Sequence, residues 1–412
     1  MAATNGLSDS RPSSEPVDAS PSTGSTLSPG LHVVAEGVKR RAAGSLQALL
    51  LSGSHATGEA VWTMVEGRRV CLSDLDLYAI LKDEPACDAA RSGDWTPVER
   101  DRMRTEGIDA PVEVAFLTRQ GLSRLPARPG TLILRAGGQT IEGDPGVRDV
   151  IPNHSAADVD REERIALLEN RGAELLGARA QAASGGESGR WFARHATLKA
   201  ALDIAGVLAL ENGRWPTGAA DRVREAEARL KLDRGAAGNE ALGVDHEQLK
   251  RLWSEAVRWR SGGAHLPAVS VVEAEWCSVV QAWCWAWWRI ASPVSASATE
   301  PWAAIAGLAR RAPLPRRIRR AIEFRPRSGT GPSMRERLLH ASRGTPTHRL
   351  MGSVTTLLFS AALSPASPAL TSGALRLLDG LGVISAREWD AAAIEARRCW
   401  GRWVAGLDEE RG

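Results

Sequence analysis

The sequence predicts an α+β protein, a small mixed α/β domain followed by a larger all-helical region. Two observations carry this. In residues 31–155, short apolar runs such as "ALLLS", "LDLYAIL" and "VEVAFL" are bounded by Gly, Pro or Asp, the length and texture of buried strands. From about Ser155 the texture changes to long periodic segments rich in Ala, Leu, Glu and Arg, which are strong helix formers. The expected layout is therefore a tail over 1–30, a mixed domain over 31–155 and a helical region over 156–412, with a break in the last near 291–302.

The tail, "MAATNGLSDSRPSSEPVDASPSTGSTLSPG", is Ser/Pro-rich and has neither the basic start nor the apolar core of a signal peptide. "LHVVAEGVKRRAAGSLQ" has helical composition, and "ALLLSGS" reads as a buried strand stopped by Gly53. "TMVEGRRVCL" places Glu66-Gly67 between strand-like flanks, a hairpin that leads into "SDLDLYAIL" as a second core strand. "PVEVAFL" is a third strand opened by Pro111. "TLILRAGGQTIEGD" reads as two strands around Gly137-Gly138, and Gly143-Asp144 as a turn.

Beyond Ser155, "DREERIALLENRGAELLGARAQAA" and "RWFARHATLKAALDIAGVLALENG" are two helices broken by "SGGESG". "AADRVREAEARLKL", "HEQLKRLWSEAVRWR" and "SAREWDAAAIEARRCWGRWVAGL" continue the helical series. The segment "VVEAEWCSVVQAWCWAWWRIA" holds five tryptophans, but Glu273, Glu275 and Gln281 make it a poor membrane span. Trp276, Trp283 and Trp287 recur at helical spacing, which favours a helical core.

Composition narrows the function classes. A net charge of +3 over 412 residues gives no general pull toward nucleic acid or membrane. The basic run from Arg310 to Arg327 has the density of a phosphate-binding patch but only one aromatic, Phe324, so a solvated connector is favoured over an RNA site. Five cysteines form no CxxC pair, which argues against zinc or a disulfide framework and fits a reducing cytoplasm.

The chemistry sits in "SGSHATGEAVWTMVEGRRVCLSDLDLYAIL". On a strand, Asp74 and Asp76 share one face while Leu75 and Leu77 take the other. Two carboxylates that close repel each other unless a cation neutralises them, and magnesium favours such oxygen ligands, completed by water and substrate phosphates. Glu113, in the same apolar-acid-apolar pattern, can join that face if the strands are neighbours. At the other end, Gly53 lets the backbone turn sharply, and N–H groups with the Ser54 hydroxyl can hold phosphate oxygens. Together these parts suit transfer from a nucleoside triphosphate, with two metal ions on the acids and Glu113 as general base. His55 reads as a loop residue, since this chemistry needs no histidine.

Gly53, Ser54, Gly58 and Glu59, followed by "SDLDL" and "VEV", resemble the nucleotidyltransferase superfamily that includes DNA polymerase beta and the aminoglycoside nucleotidyltransferases. The resemblance implies that Asp74, Asp76 and Glu113 are the catalytic metal ligands and that Gly53, Ser54 and Glu59 belong to the nucleotide site. It also implies a lysine from a later helix facing the nucleotide, for which Lys199 is the candidate. The expected function is magnesium-dependent transfer of a nucleoside monophosphate from an NTP to a hydroxyl of a small molecule or protein, releasing pyrophosphate. The chain departs from the family at Thr57, where many members carry an arginine, and in the long passage from Ala60 to Leu72; Arg68 or Arg69 is the candidate replacement. The competing expectation is a degenerate nucleotide-binding module, regulatory or toxin-antitoxin-like, without turnover.

Overall fold

The strands and helices follow from where apolar side chains can be covered. The computed structural model describes residues 29–91, 96–105, 109–232, 244–291, 346–362, 372, 374–375 and 388–400. Helix α1 (Pro29–Ala42) leads into strand β1 (Leu46–Ser52), a single helical turn α2 (Gly53–Ala56), and the hairpin β2 (Trp62–Val65) and β3 (Arg68–Cys71). Strand β4 (Leu75–Leu81), helices α3 (Glu84–Arg91) and α4 (Thr96–Thr105), and strand β5 (Val112–Thr118) follow. The turn α5 (Arg119–Leu122), helix α6 (Pro129–Gly137) and strand β6 (Gln139–Gly143) complete the mixed part. The helical part comprises α7 (Arg161–Ser184), α8 (Gly186–Glu211), α9 (Ala219–Leu232), α10 (His246–Arg260), α11 (Val269–Ala291), α12 (Pro346–Ala362) and α13 (Trp389–Trp400). The α+β architecture expected from the sequence is what the chain adopts.

The main sheet has the order β5-β4-β1-β6, with β4 and β5 parallel and β1 antiparallel to both β4 and β6. Both faces are covered, which explains the continuous apolar runs. Leu49, Leu51, Leu77, Ala79 and Leu81 pack with Val34 and Val38 of α1 and Cys87 of α3 on one face. Ala48, Leu50 and Ile80 pack with Leu122 and Leu134 on the other.

The hairpin forms where it was expected, with Glu66 and Gly67 both at positive φ (50° and 76°), the backbone a tight two-residue turn needs. It is not part of the main sheet. Its Val65 and Val70, with the flanking Val61 and Leu72, are buried in the core of the helical part, so the hairpin joins the two regions.

One element differs from its expectation. Residues 129–137 form helix α6 where "TLILRAG" reads as a strand; only Gln139–Gly143 is extended. A short apolar run fits either a strand or one buried helix face, and Pro129 in the first turn, with its fixed φ and missing N–H, tips it to helix. Helices α3 and α4, on the stretch between the second and third strands, were not legible: α3 spans only eight residues, and α4 carries little apolar periodicity.

The two longest helices, α7 and α8, are separated by the single residue Gly185. Helix α11 lies against both: Trp276 Nε1 donates to Leu175 O at 2.8 Å and Trp283 Nε1 to Leu168 O at 2.7 Å. Trp283 and Trp287 are fully buried and stacked, ring centroids 6.5 Å apart. Each such ring removes roughly 200 Å² from water, on the order of several kcal/mol. Gly172 makes this approach possible, because a Cβ there would meet Trp283 Cζ2 at 2.8 Å. Helices α12 and α13 share this core through Leu350, Leu357, Phe359, Ala396 and Trp400. Among the described residues no helix is long and apolar enough to cross a membrane. The tail over 1–28, the 292–302 break and the basic run 310–327 lie outside the described residues.

Candidate active site

Strand β1 ends at Ser52, and Gly53 takes a φ of +66° to turn the chain into α2. The turn is tied by Thr57 N to Gly53 O at 3.2 Å and Glu59 N to Ser54 O at 2.8 Å. Ser52 is paired with Asp76 across β1 and β4, and Asp76 with Glu113 across β4 and β5. The middle acid of the expected triad therefore lies between the Gly-Ser turn and the third acid. Its carboxylate fills the space where a side chain on Gly53 would go, with Asp76 Cγ 3.3 Å from the position of a Cβ.

Asp74 stands just before β4, which starts at Leu75, where Leu75 N donates to Pro111 O at 2.8 Å. Its carboxylate is taken up by the helical part: Lys199 Nζ, from the middle of α8, donates to Asp74 Oδ2 at 2.8 Å. Lys199 lies 3.9 Å from Glu174, and Arg171 bridges Glu174 at 2.5 Å and Asp203 at 2.6 Å. The result is a chain of alternating charge running from the sheet into α7 and α8.

These contacts split the two aspartates electrostatically. Burial disfavours the charged form of Asp74, but the ammonium of Lys199 overcomes it and holds the carboxyl at about 2. Burial, then the charge of Asp74, with Glu113 adding to it, push Asp76 up to about 7 against a partial offset from Lys199. One carboxylate is satisfied by a protein cation and its neighbour is left short of one. Burial lowers the pKa of Lys199, yet Asp74 and Glu174 raise it on balance, so the ammonium stays charged.

The expected site residues fall into two groups. Gly53, Ser54, Asp76 and Glu113 converge at the ends of neighbouring strands, with Asp74 and Lys199 beside them. Glu59 turns elsewhere: its carboxylate accepts from Ala219 N at 2.6 Å, at the start of α9, and lies 3.8 Å from Arg222. There it ties the turn to the helical part. His55 is packed, with Nε2 3.4 Å from both Ser73 O and Cys71 Sγ, and burial lowers its pKa, so it is neutral near pH 7. Thr57 Oγ1 reaches back to Gly53 O and Ser54 O, at 3.4 Å each. Arg69 stacks over the Trp62 ring at 4.6 Å, and Trp62 meets His55 edge-on at 6.0 Å.

The carboxylates supply the hard oxygen donors that magnesium takes. A pair of acids whose repulsion forces a proton onto one of them is the environment a divalent cation relieves. Among the described residues, no group of three His, Cys, Asp or Glu side chains stands in ligating geometry, with Asp74 held toward Lys199. Sequence reasoning missed Arg171, Glu174, Asp203 and the buried His195, whose Nδ1 accepts from Trp259 Nε1 at 3.2 Å. Their signal was the helical spacing of Arg171 with Glu174 and of His195, Lys199 and Asp203, visible only once Lys199 is known to face the acids. The chain matches no protein-family model, no curated protein and no solved structure.

Proposed function

We propose that the protein is a magnesium-dependent nucleotidyltransferase, moving a nucleoside monophosphate from an NTP to a hydroxyl acceptor and releasing pyrophosphate. The observation that carries this reading is the position of Asp76: its carboxylate abuts the Gly53 turn and is in register with Glu113, with its pKa raised to about 7. A buried carboxylate pressed against other acids and short of a cation is the setting a divalent ion stabilises, and it stands here beside a turn whose N–H groups can take phosphate oxygens.

Asp74, Asp76 and Glu113 are the residues that would hold magnesium. When bound, two such ions supply charge neutralisation on the phosphates and a lower pKa for the acceptor hydroxyl. Gly53 and Ser54 bind the triphosphate through the backbone and hydroxyl of the turn. Glu113, the more exposed acid, takes the acceptor proton as the O–H bond breaks and the oxygen bonds to the α-phosphorus. The bond between the α-phosphorus and the bridging oxygen breaks, and pyrophosphate leaves with that electron pair. Lys199 keeps Asp74 ionised in the resting site, ready to bind a cation without first losing a proton. All five cysteines are free thiols, which supports a reducing compartment such as the cytoplasm.

A second reading, nucleotide binding without turnover, draws on the same ion pair, because the Lys199 ammonium already neutralises one of the three acids. The deciding experiment is incubation with each labelled NTP, Mg²⁺ and a cell extract, comparing wild type with Asp76→Ala. Label transfer that depends on Asp76 supports the enzyme. Transfer that persists in the variant overturns the assigned site, and NTP binding without transfer supports the second reading.

A further inference from the structure

The Gly-Ser turn, residues 53–58, carries no arginine of its own. A guanidinium nevertheless comes close to this turn from 201 residues further along the chain. Arg260, the last residue of α10, donates from Nη1 to the main-chain oxygen of Glu59 at 3.2 Å. Glu59 is itself bonded through its N–H to Ser54 O at 2.8 Å, so Arg260 is one residue's hydrogen bonds away from the Ser54 backbone.

What distinguishes Arg260 is that carboxylates act on it only from beyond ion-pair distance. Arg171, Arg194 and Arg222, the other inward-facing arginines of this region, all have carboxylate partners. Among the described residues Arg260 has none within ion-pair distance, and its one hydrogen bond is to a neutral carbonyl. It is half-buried, and burial lowers its pKa from the ordinary guanidinium value, with Glu59 opposing and Arg222 adding to the lowering. Its remaining donors are not buried, so a half-buried guanidinium held by one carbonyl keeps most of its five N–H groups available to an anion arriving from solvent. The neighbouring Arg69 is already stacked on Trp62 and Arg222 is engaged by Glu59 and by Pro216 O and Thr217 O.

We propose that Arg260 is a polyphosphate-binding residue supplied in space by α10, clamping the triphosphate against the Gly53-Ser54 turn in place of an arginine on the turn itself. The inference rests on the nucleotidyl-transfer reading and gives the helical part a direct role in it. The bound polyphosphate then spans the two regions, with β1 and α2 on one side and α10 on the other. A planar guanidinium suits this position because it can give two parallel N–H bonds to phosphate oxygens while a third holds Glu59 O.

The test is calorimetric titration of the full chain with inorganic tripolyphosphate and with pyrophosphate in the presence of Mg²⁺, using wild type, Arg260→Met and Arg260→Lys. The expected result is binding by wild type, a loss of roughly 10- to 100-fold in Arg260→Met with reduced sensitivity to salt, and an intermediate value for Arg260→Lys. A purely structural arginine would lower the melting temperature without changing the salt dependence. Arg260→Met that melts like wild type and binds tripolyphosphate equally well overturns the role of Arg260 while leaving the functional reading intact. Wild type that binds neither probe nor any NTP overturns both. If Arg260→Met does not fold, Arg260→Lys decides: unchanged affinity and salt dependence count against the clamp.

Discussion

Gly53 and Asp76 share one volume: the carboxylate of Asp76 fills the place a side chain on Gly53 would need, and Gly53 holds a φ of +66° that other residues rarely adopt. The turn and the acid are therefore one feature. Gly53→Ala is expected to cost about 1–3 kcal/mol of stability through backbone strain alone, and to displace the Asp76 carboxylate as well. Denaturant unfolding reads the first effect. Loss of Mg²⁺-dependent NTP binding reads the second, and an Ala variant that binds like wild type separates the turn from the site.

Magnesium binding should release a proton. With Asp76 raised to about 7, the metal must displace a proton from that carboxyl below pH 7 but not above it. Affinity is expected to rise roughly tenfold per pH unit up to about 7 and then level off. Titration at several pH values, in buffers of different ionisation enthalpy, measures the proton directly. In Asp76→Asn the pH dependence and most of the affinity should vanish together.

Lys199 and Asp74 contribute to the loss of stability in acid. The folded pKa of Asp74 is about 2, below the ordinary 3.8, so its stabilisation is complete above about pH 4 and is lost as pH falls toward 2. Lys199→Met removes the partner and should cost about 1–2 kcal/mol at pH 7, a modest figure because Asp74 remains 36% exposed. It should also flatten the pH dependence of unfolding between 4 and 2, as followed by circular dichroism.

Glu169 behaves in the opposite sense. Burial on α7 pushes it up to about 7, above the ordinary 4.5. As pH rises from 4.5 to 7 the unfolded chain loses this proton before the folded one, so the folded state becomes less stable across that window. Glu169→Gln should raise stability by roughly 1–3 kcal/mol at pH 8 relative to wild type and change little at pH 4. Parallel melts at the two pH values check both halves.

The parts of the site that lie on one stretch of chain were legible. Alternation along "SDLDLYAIL" placed Asp76 on a definite face, Gly53 at the end of an apolar run marked the turn, and the apolar-acid-apolar pattern singled out Glu113. Lys199 needed a family resemblance to be named, and its partner could not be read, because the pairing spans 125 residues. Glu59 was drawn to the nucleotide site by its place in the motif, whereas its carboxylate accepts from Ala219 N at the start of α9, 160 residues away. Helix α6 was misread because the apolar run Leu132-Ile133-Leu134 fits either period until Pro129 is weighed.

The sequence by itself determined the α+β class, the strands that carry Asp76 and Glu113, and the tight turns at Gly53 and Glu66-Gly67, while Asp74, expected on the same strand face, stands just before β4. These depend on local periodicity and on backbone angles that few residues allow. Only the tertiary structure decided which charges are neutralised. Asp74 is satisfied by Lys199 and Asp76 is not, and Arg260 bonds the main chain at Glu59 while the Glu59 carboxylate goes to the start of α9. Those outcomes depend on how α7, α8 and α10 pack against the hairpin and the sheet edge, because the energy of a charge is set by what surrounds it in space.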